Sequence, residues 1–236
     1  MTEELFRLDS YLSSCDALVV SADSKGIELD RTVFYATGGG QPGDQGVLRL
    51  KDGGEIDISD CQKDRESGQH VHIPTEGAAL PAVGERVIAE IDWARRHKLM
   101  RMHSCLHLLC AIVDGGVTGG QVGEEKSRLD FDLGDTSLDK EVLTDRLNRL
   151  IIDNHVIKTS SISDAELAAN SELVRTMSVQ PPTGAGKVRL ISIGSVDLQP
   201  CGGTHVRATG EIGLVRVGKI ENKGKHNRRI NVHLET

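Results

Sequence analysis

Two pairs of residues, about a hundred positions apart, have the types and spacing of metal ligands. His103 and His107 are four residues apart, so on a helix their imidazoles project from one face about one turn apart. Cys201 and His205 bracket the segment CGGTH, whose two glycines allow a loop to approach a ligand closely. One thiolate and three imidazoles suit a tetrahedral zinc ion. The sequence therefore predicts a zinc site formed by these four residues, although ferrous iron and cobalt also fit the ligand set.

The four candidate ligands must be positioned by a helix and by a loop between strands. The surrounding sequence predicts both elements. Asp92 can cap a helix that carries both histidines and stops at Asp114-Gly115-Gly116. A second helix is predicted over Leu138 to His155, and the capping-box spacing of Ser163 and Glu166 predicts the start of a third. Strands are predicted around the CGGTH loop in VRLISI, GLVRVGKI and RRINVHL.

The first 91 residues have a different pattern, in which short apolar runs alternate with glycine, proline and aspartate. The predicted strands are Ala17 to Ser21, Gly26 to Phe34, Gly46 to Leu50, Glu55 to Asp60, His70 to Ile73 and Arg86 to Ile91. Short strands at this spacing are typical of a small β-barrel or sandwich. We therefore predict an α+β protein. A glycine-rich, β-barrel-like domain covers residues 1–91, and an α+β domain with an antiparallel sheet and helices covers residues 92–236.

Composition and charge limit the class of protein. The chain has 236 residues, 38% of them hydrophobic, and its five cysteines are an odd number that argues against a disulfide framework. No apolar run reaches the ~20 residues of a membrane span, and the amino terminus lacks a signal peptide, so we expect a cytoplasmic protein without membrane contact. The formal net charge of -7 argues against a protein that coats nucleic acid, and no DNA partner is expected. Basic clusters at residues 95–101 and 207–229 nevertheless favour local contact with a polyanion, with ordinary solvated faces as the alternative. The oligomeric state does not follow from the sequence.

The glycine-rich segment GGGQPG, Gly38 to Gly43, matches the letters of the dinucleotide-binding motif G-x-G-x-x-G. That motif requires a strand before it and a helix that begins within it. Here the following sequence predicts strand, turn and strand, so no helix N-terminus is available for a phosphate. We therefore reject a nucleotide site and predict a hairpin in which glycine adopts positive φ angles.

Five segments, in order along almost the whole chain, resemble the AlaX family, whose members are relatives of the editing domain of alanyl-tRNA synthetase. They are FYATGGGQPGDQG, RRHKLMRMHSCLH, GGQVGEEKSRLDFDL, CGGTH and ENKGKHNRRI. The glycine-rich first domain is similar to the longer form of the family. The resemblance implies a trans-editing hydrolase that acts on the aminoacylated acceptor end of tRNA(Ala) and removes wrongly attached serine, with glycine as a second candidate.

The resemblance also implies roles for residues outside the metal site. The segment from Gly38 to Asp44 is expected near the aminoacyl end of the tRNA. Its expected substrate-binding residues are Gly39, Gly40 and Gln41. The hydroxyl of Thr37 is a candidate catalytic group, with an ordinary turn residue as the alternative. Gln121 is a candidate for orienting the water or the ester oxygen through hydrogen bonds, with an ordinary loop residue as the alternative.

Basic residues near the carboxyl end are expected to hold phosphates near the acceptor end without reading base sequence. They are Lys219, Lys223, Lys225, Arg228 and Arg229. Arg128 and Asp130, in a segment that reads as a strand, are interpreted as structural.

The sequence leaves open how zinc would act. If all four ligands bind, the ion would position the substrate's amino group, whereas a loose ligand would open a coordination position to water. Two alternative functions remain: editing of Ser-tRNA(Thr), and RNA binding by a module in which zinc is structural and no reaction occurs. A zinc peptidase is disfavoured because the segment from His103 to His107 lacks the glutamate of H-E-x-x-H.

Overall fold

The computed structural model describes residues 2–134, 137–175 and 186–235. The chain divides into two compact units, Met1–His97 and Lys98–Thr236. The domain boundary predicted between residues 91 and 92 stays a prediction. Within the described ranges, no helix has both the length and the apolar character needed to cross a membrane.

The first unit contains a closed barrel of six strands, which confirms the predicted barrel. The elements are β1 (Glu3–Glu4), α1 (Leu5–Leu8), β2 (Ser14–Asp23), β3 (Gly26–Leu29), β4 (Arg31–Thr32), β5 (Gly46–Leu50), β6 (Glu55–Lys63), β7 (His70–Pro74) and β8 (Arg86–Ile91). The barrel order is β2-β3-β7-β6-β5-β8, and all neighbouring strands are antiparallel. The single strand predicted from Gly26 to Phe34 is divided, because β3 ends at Leu29 and β4 pairs with β1 instead.

Apolar side chains at alternate positions along the strands fill the barrel interior. In β6 the buried Ile56 and Ile58 alternate with exposed acidic residues, as a strand with one face in a core requires. The interior also takes Val19, Ile27, Leu48 and Ala89. The first unit therefore has its own hydrophobic core.

The glycine-rich segment forms the predicted hairpin. Gly38 and Gln41 exchange two backbone hydrogen bonds, of 3.0 and 2.9 Å. Between them, Gly39 and Gly40 have φ angles of 56° and 82°. Positive φ at both central residues is the geometry of a tight two-residue hairpin turn, which glycine adopts at low cost.

A long helix, α2 (Trp93–Ile112), follows the barrel strands, and the division between the two units falls within it. The predicted cap is present, because the Asp92 carboxylate accepts a hydrogen bond of 3.0 Å from the Arg95 amide. Arg96 is fully buried and forms an ion pair with Asp44. Arg96 is therefore not part of an external basic surface, although the sequence placed it in a basic cluster.

The second unit combines two antiparallel sheets with helices. Its strands are β9 (Gly116–Gln121), β10 (Lys126–Asp132), β11 (Ile157–Ser163), β12 (Lys187–Ile193), β13 (Asp197–Pro200), β14 (Val215–Asn222) and β15 (Asn227–Leu234). The sheet orders are β14-β15-β10-β9 and β11-β12-β13. The α+β class is confirmed. Strands β9, β11 and β13 were not expected.

The two further helices lie where the sequence placed them. Helix α3 (Lys140–Ile152) is shorter at both ends than the predicted range, because Asp139 caps its first turn and the chain turns at Asp153. Helix α4 (Asp164–Ala169) has the predicted capping box between Ser163 and Glu166.

Candidate metal centre

Helix α2 and the loop after β13 bring the four predicted ligands together. The candidate ligand atoms of His103, His107, Cys201 and His205 all lie within 4.8 Å of one another. The Cys201 Sγ is 3.5 Å from His103 Nε2 and 3.3 Å from His205 Nε2. Ordinary zinc bond lengths at a tetrahedral angle place sulfur and nitrogen ligands about 3.6 Å apart. The cluster could therefore hold a metal ion.

The CGGTH loop is fixed by hydrogen bonds from Arg189 on β12. Arg189 Nη1 donates to the carbonyl oxygens of Cys201 and Gly203, at 2.9 and 2.8 Å. The Cys201 amide donates in turn to the Arg189 carbonyl at 3.1 Å. The Gly203 amide points at the Cys201 sulfur, 3.4 Å away. A backbone donor at this place stabilises negative charge on the sulfur.

Two of the histidines have a second partner on the ring nitrogen that faces away from the cluster. His107 Nδ1 lies 2.9 Å from Asp197 Oδ2, and His205 Nδ1 lies 3.2 Å from Ser104 Oγ. Both contacts leave Nε2 directed at the cluster. Partners of this kind fix the tautomer and the ring orientation of a metal-binding histidine.

Asp197 and Ser104 are not among the site residues predicted from the sequence. The feature that could have identified Asp197 is the polarity of β13, which is opposite to that of an ordinary strand. Asp197 and Gln199 are buried, while the apolar Leu198 between them is 42% exposed. A strand with polar residues on its buried face indicates a site beneath it. Nothing comparable marks Ser104 among the other helix residues.

The electrostatic environment favours a thiolate at Cys201. Burial alone would raise the pKa of this thiol, but the charge at His103 and hydrogen bonds from the histidines hold the pKa well below its usual range. Burial lowers the pKa of His107, yet the hydrogen bonds and negative charges of Asp197 and Cys201 together outweigh burial and raise the pKa to about 10. By contrast, burial raises the pKa values of Cys105 and Cys110 to about 12. These two are neutral buried thiols, in line with their interpretation as apolar core residues.

Gln121 lies at the end of β9 and is exposed. Its described hydrogen-bond partner is Arg128, whose Nε is 3.4 Å from Gln121 Oε1, and not one of the four ligand residues. Arg128 also donates to Asp130 at 2.8 Å. Asp130 accepts two further bonds of 2.8 Å from Arg229. The network agrees with the structural interpretation of Arg128 and Asp130, and it includes one of the expected phosphate-binding residues.

The predicted substrate-binding residues of the glycine hairpin belong to the first unit. Thr37 Oγ1 accepts a hydrogen bond of 2.7 Å from the Gly43 amide, as in the turn-residue alternative. Gly39 and Gly40 are exposed, whereas Gln41 is 1% exposed. The roles of these residues toward a substrate stay predictions.

The predicted phosphate-binding residues lie in β14, in the turn after it and in β15, and they differ in their contacts. Lys219 and Lys225 are exposed. Lys223 pairs with Glu221 at 3.1 Å. Arg228 donates to backbone carbonyls, including that of Gly134 at 3.3 Å. The charges of Lys219 and Lys225 are therefore the most accessible of the set.

Comparisons with known proteins agree with this architecture. Residues 188–231, which include the CGGTH loop, match the family described as threonyl and alanyl tRNA synthetase second additional domain. Residues 10–95 match the family described as tRNA synthetases class II (A). The fold and the histidine–cysteine cluster thus define a protein related to domains of the threonyl- and alanyl-tRNA synthetases.

Similarity to individual proteins extends over nearly the whole chain. The alanyl-tRNA editing protein AlaX-M of Methanosarcina acetivorans is 36% identical over an alignment that covers 98% of each chain. The alanyl-tRNA editing protein AlaX-L of Pyrococcus horikoshii is 31% identical over 98% of this chain and 57% of its own length. An alanine–tRNA ligase of Pyrobaculum arsenaticum is 37% identical over 93% of this chain and 25% of the ligase. The chain belongs to the AlaX family of alanyl-tRNA editing proteins.

Proposed function

We propose that this protein is an aminoacyl-tRNA deacylase that edits mischarged tRNA(Ala) in trans, in the cytoplasm, by hydrolysing the ester of serine and, as a second substrate, of glycine. Membership of the AlaX family supports the alanyl assignment. The observation that carries the proposal is the convergence of His103, His107, Cys201 and His205. The deacylase domain is proposed to cover residues 92–236 and the glycine-rich domain residues 1–91.

Zinc is the proposed ion because its preferred ligands and bond lengths match the cluster. Thiolate and imidazole are both ligands that zinc binds, and the sulfur–nitrogen distances of 3.3 and 3.5 Å fit a tetrahedral arrangement. When bound, zinc would supply a positive charge that can hold the substrate's α-amino group or polarise the ester carbonyl. The four side chains hold the ion, and Arg189 keeps the loop that carries two of them in place.

Selection of serine over alanine is the chemical reason for a separate editing protein. A pocket built for alanine rejects one additional hydroxyl poorly, whereas a second site that hydrogen-bonds the hydroxyl can discriminate strongly. Gln121 is proposed to orient the water or the ester oxygen, because its amide remains exposed and can donate as well as accept. Thr37 is proposed as the second polar group that acts on the substrate. Its hydroxyl contacts Asp60 at 3.4 Å and would leave this contact when it binds the substrate.

Contacts with the RNA are proposed at two places. The exposed turn of Gly39 and Gly40, with Gln41 beside it, would contact the aminoacyl end. Lys219, Lys223, Lys225, Arg228 and Arg229 would bind phosphates of the acceptor end. Because Lys223 and Arg229 are already paired with carboxylates, Lys219 and Lys225 should contribute most of the salt-dependent affinity.

Two alternatives have a specific basis. The matched family description includes threonyl as well as alanyl synthetases, which favours Ser-tRNA(Thr) as the second candidate substrate. A cluster in which all four ligands bind the ion is the usual form of a structural site, which favours an RNA-binding module without catalysis.

The rate of serine release from Ser-tRNA(Ala), compared with alanine release from Ala-tRNA(Ala), tests the proposal. The wild type should release serine only, and His103→Ala should lose this activity while it keeps its fold. His233→Ala is a matched control, since His233 is half-buried on β15 outside the cluster. Serine release from Ser-tRNA(Thr) alone would move the assignment to the threonyl system. If folded, zinc-loaded protein binds tRNA but releases nothing from any of these substrates, the binding module is correct.

A further inference from the structure

We propose that Asp197 and Gln199 are positioning residues of the metal centre. Asp197 fixes the tautomer and ring orientation of His107 and balances the charge of the bound ion, and Gln199 holds the Asp197 carboxylate in place. The inference rests on the metal centre of the proposed function. It adds residues that act through a ligand and not on the substrate.

The geometry of the Asp197 carboxylate leaves little freedom. Its Oδ2 lies 2.9 Å from His107 Nδ1, and its Oδ1 accepts a hydrogen bond of 2.8 Å from Gln199 Nε2. Residues two apart on a strand share one face, which explains why β13 supplies both. A carboxylate only accepts hydrogen bonds, so the hydrogen must be on His107 Nδ1. The lone pair of His107 is then on Nε2, the nitrogen that faces the cluster.

Charge gives a second reason for a carboxylate at this place. A divalent ion bound by one thiolate and three neutral imidazoles has a net charge of about +1. The Asp197 side chain is completely buried, where an unbalanced charge is costly. Among the described residues, the ion pair of Asp197 is with His107. The Asp197 charge therefore acts on the metal centre, and the two together are neutral.

The partner of His205 provides an internal comparison. Ser104 Oγ contacts His205 Nδ1 at 3.2 Å and accepts a hydrogen bond of 3.3 Å from the Val206 amide. This hydroxyl can orient the ring, but it carries no charge. Loss of the hydroxyl should therefore weaken metal binding less than loss of the Asp197 charge.

The test measures zinc affinity of the full chain by competition with a chelator, without tRNA. Asp197→Asn keeps the side-chain shape and removes the charge, and we expect affinity to fall by about 10-fold to 100-fold. Ser104→Ala should lose less. Leu198→Asn is the control, because it places an amide on the exposed side of the same strand and should leave affinity unchanged. With cobalt in place of zinc, the visible absorption spectrum should change in Asp197→Asn and not in Leu198→Asn.

A double-mutant comparison separates positioning from a general effect on the fold. In a His107→Ala background, Asp197→Asn should cause a clearly smaller loss of affinity, because the positioning part of its effect passes through His107 and only the charge effect is left. An equal loss in both backgrounds, or affinity within twofold of the wild type for Asp197→Asn alone, would overturn the inference. Should Asp197→Asn not fold, Gln199→Leu keeps the charge but frees one oxygen. A loss of several-fold supports the inference, and unchanged affinity contradicts it.

Failure of the inference is distinguishable from failure of the proposed function. Wild-type protein that binds no zinc would overturn the metal centre, and the inference with it. Wild-type protein that binds zinc but releases no serine would overturn the deacylase proposal, while the pattern of affinities would still support the role of Asp197.

Discussion

Arg96→Met removes one partner of an ion pair inside the first unit. The guanidinium pairs with Asp44 through Nε, at 3.0 Å from both carboxylate oxygens, and through Nη2. It also donates to the carbonyl oxygens of Ser10 at 3.0 Å and Val33 at 2.7 Å. Without Arg96, the buried Asp44 would keep the Tyr35 amide as its described donor, and two carbonyls would lose a partner. Breaking a buried pair in this way costs about 3–5 kcal/mol.

The single tryptophan makes this loss measurable within the first unit. Trp93 lies in that unit with its ring centroid 5.4 Å from that of Tyr11, so its fluorescence reports local unfolding. In urea titrations, Arg96→Met should lower the free energy of the tryptophan-detected transition by about 3–5 kcal/mol, and Asp44→Leu should have a similar effect. The double variant Arg96→Met/Asp44→Leu should regain much of the loss, because no charge is left unbalanced.

An exposed arginine in the same unit provides the control. Arg49 forms ion pairs with Glu55 and Glu90 on the barrel surface, and Arg49→Met should leave the transition nearly unchanged. A loss of less than about 1 kcal/mol for Arg96→Met would refute the reasoning, since a removed partner of a buried pair should cost more. Losses in the double variant that equal the sum of the two single losses would refute it as well.

Two further predictions concern acid stability and metal binding. Burial lowers the pKa of His72 from 6.5 to about 4, so the unfolded chain binds a proton that the folded barrel excludes. Stability should therefore fall as pH falls from about 6.5 to about 4, by up to about 3 kcal/mol. The thermal midpoint of His72→Gln should depend less steeply on pH than that of the wild type, and equal slopes would contradict this. Arg189→Met should weaken zinc affinity about 10-fold by releasing the carbonyls of Cys201 and Gly203, whereas Arg146→Met, on the exposed face of α3, should not.

The clustering of the four candidate ligands could be predicted because each half of the set is local in sequence. Helical spacing alone places His103 and His107 together, and the CGGTH loop contains the other two ligands. Asp197 acts on His107 across 90 residues, and only the pairing of β12 with β13 brings it there. Sequence patterns describe such long-range contacts poorly, because they depend on sheet register.

The same limit applies to the missed strand β9 and to the basic residues. No strand was predicted from the sequence over β9, yet a Cβ at Gly120 would lie 2.8 Å from the Leu129 side chain on the paired strand. Close packing therefore favours glycine within this strand. Arg96 and Arg229 belong to the basic clusters of the sequence. Arg96 nevertheless pairs with Asp44, 52 positions away, and Arg229 pairs with Asp130, 99 positions away. Counts of charge along a sequence overestimate the charge that is available to a partner.

The glycine-rich segment shows why a letter pattern and a mechanism must be separated. Gly39 and Gly40 are required by positive φ angles in the turn. Gly43 and Gly46 have another reason, because a Cβ at either position would lie 2.1 Å from a carbonyl oxygen of a neighbouring strand, that of Cys61 or Glu90. Turn geometry and close backbone packing account for glycine at all four positions without a bound phosphate. In a dinucleotide fold the same letters admit a helix N-terminus. Here the same letters form a hairpin that packs against barrel strands. No helix begins within this segment, so it offers no helix N-terminus to a nucleotide phosphate.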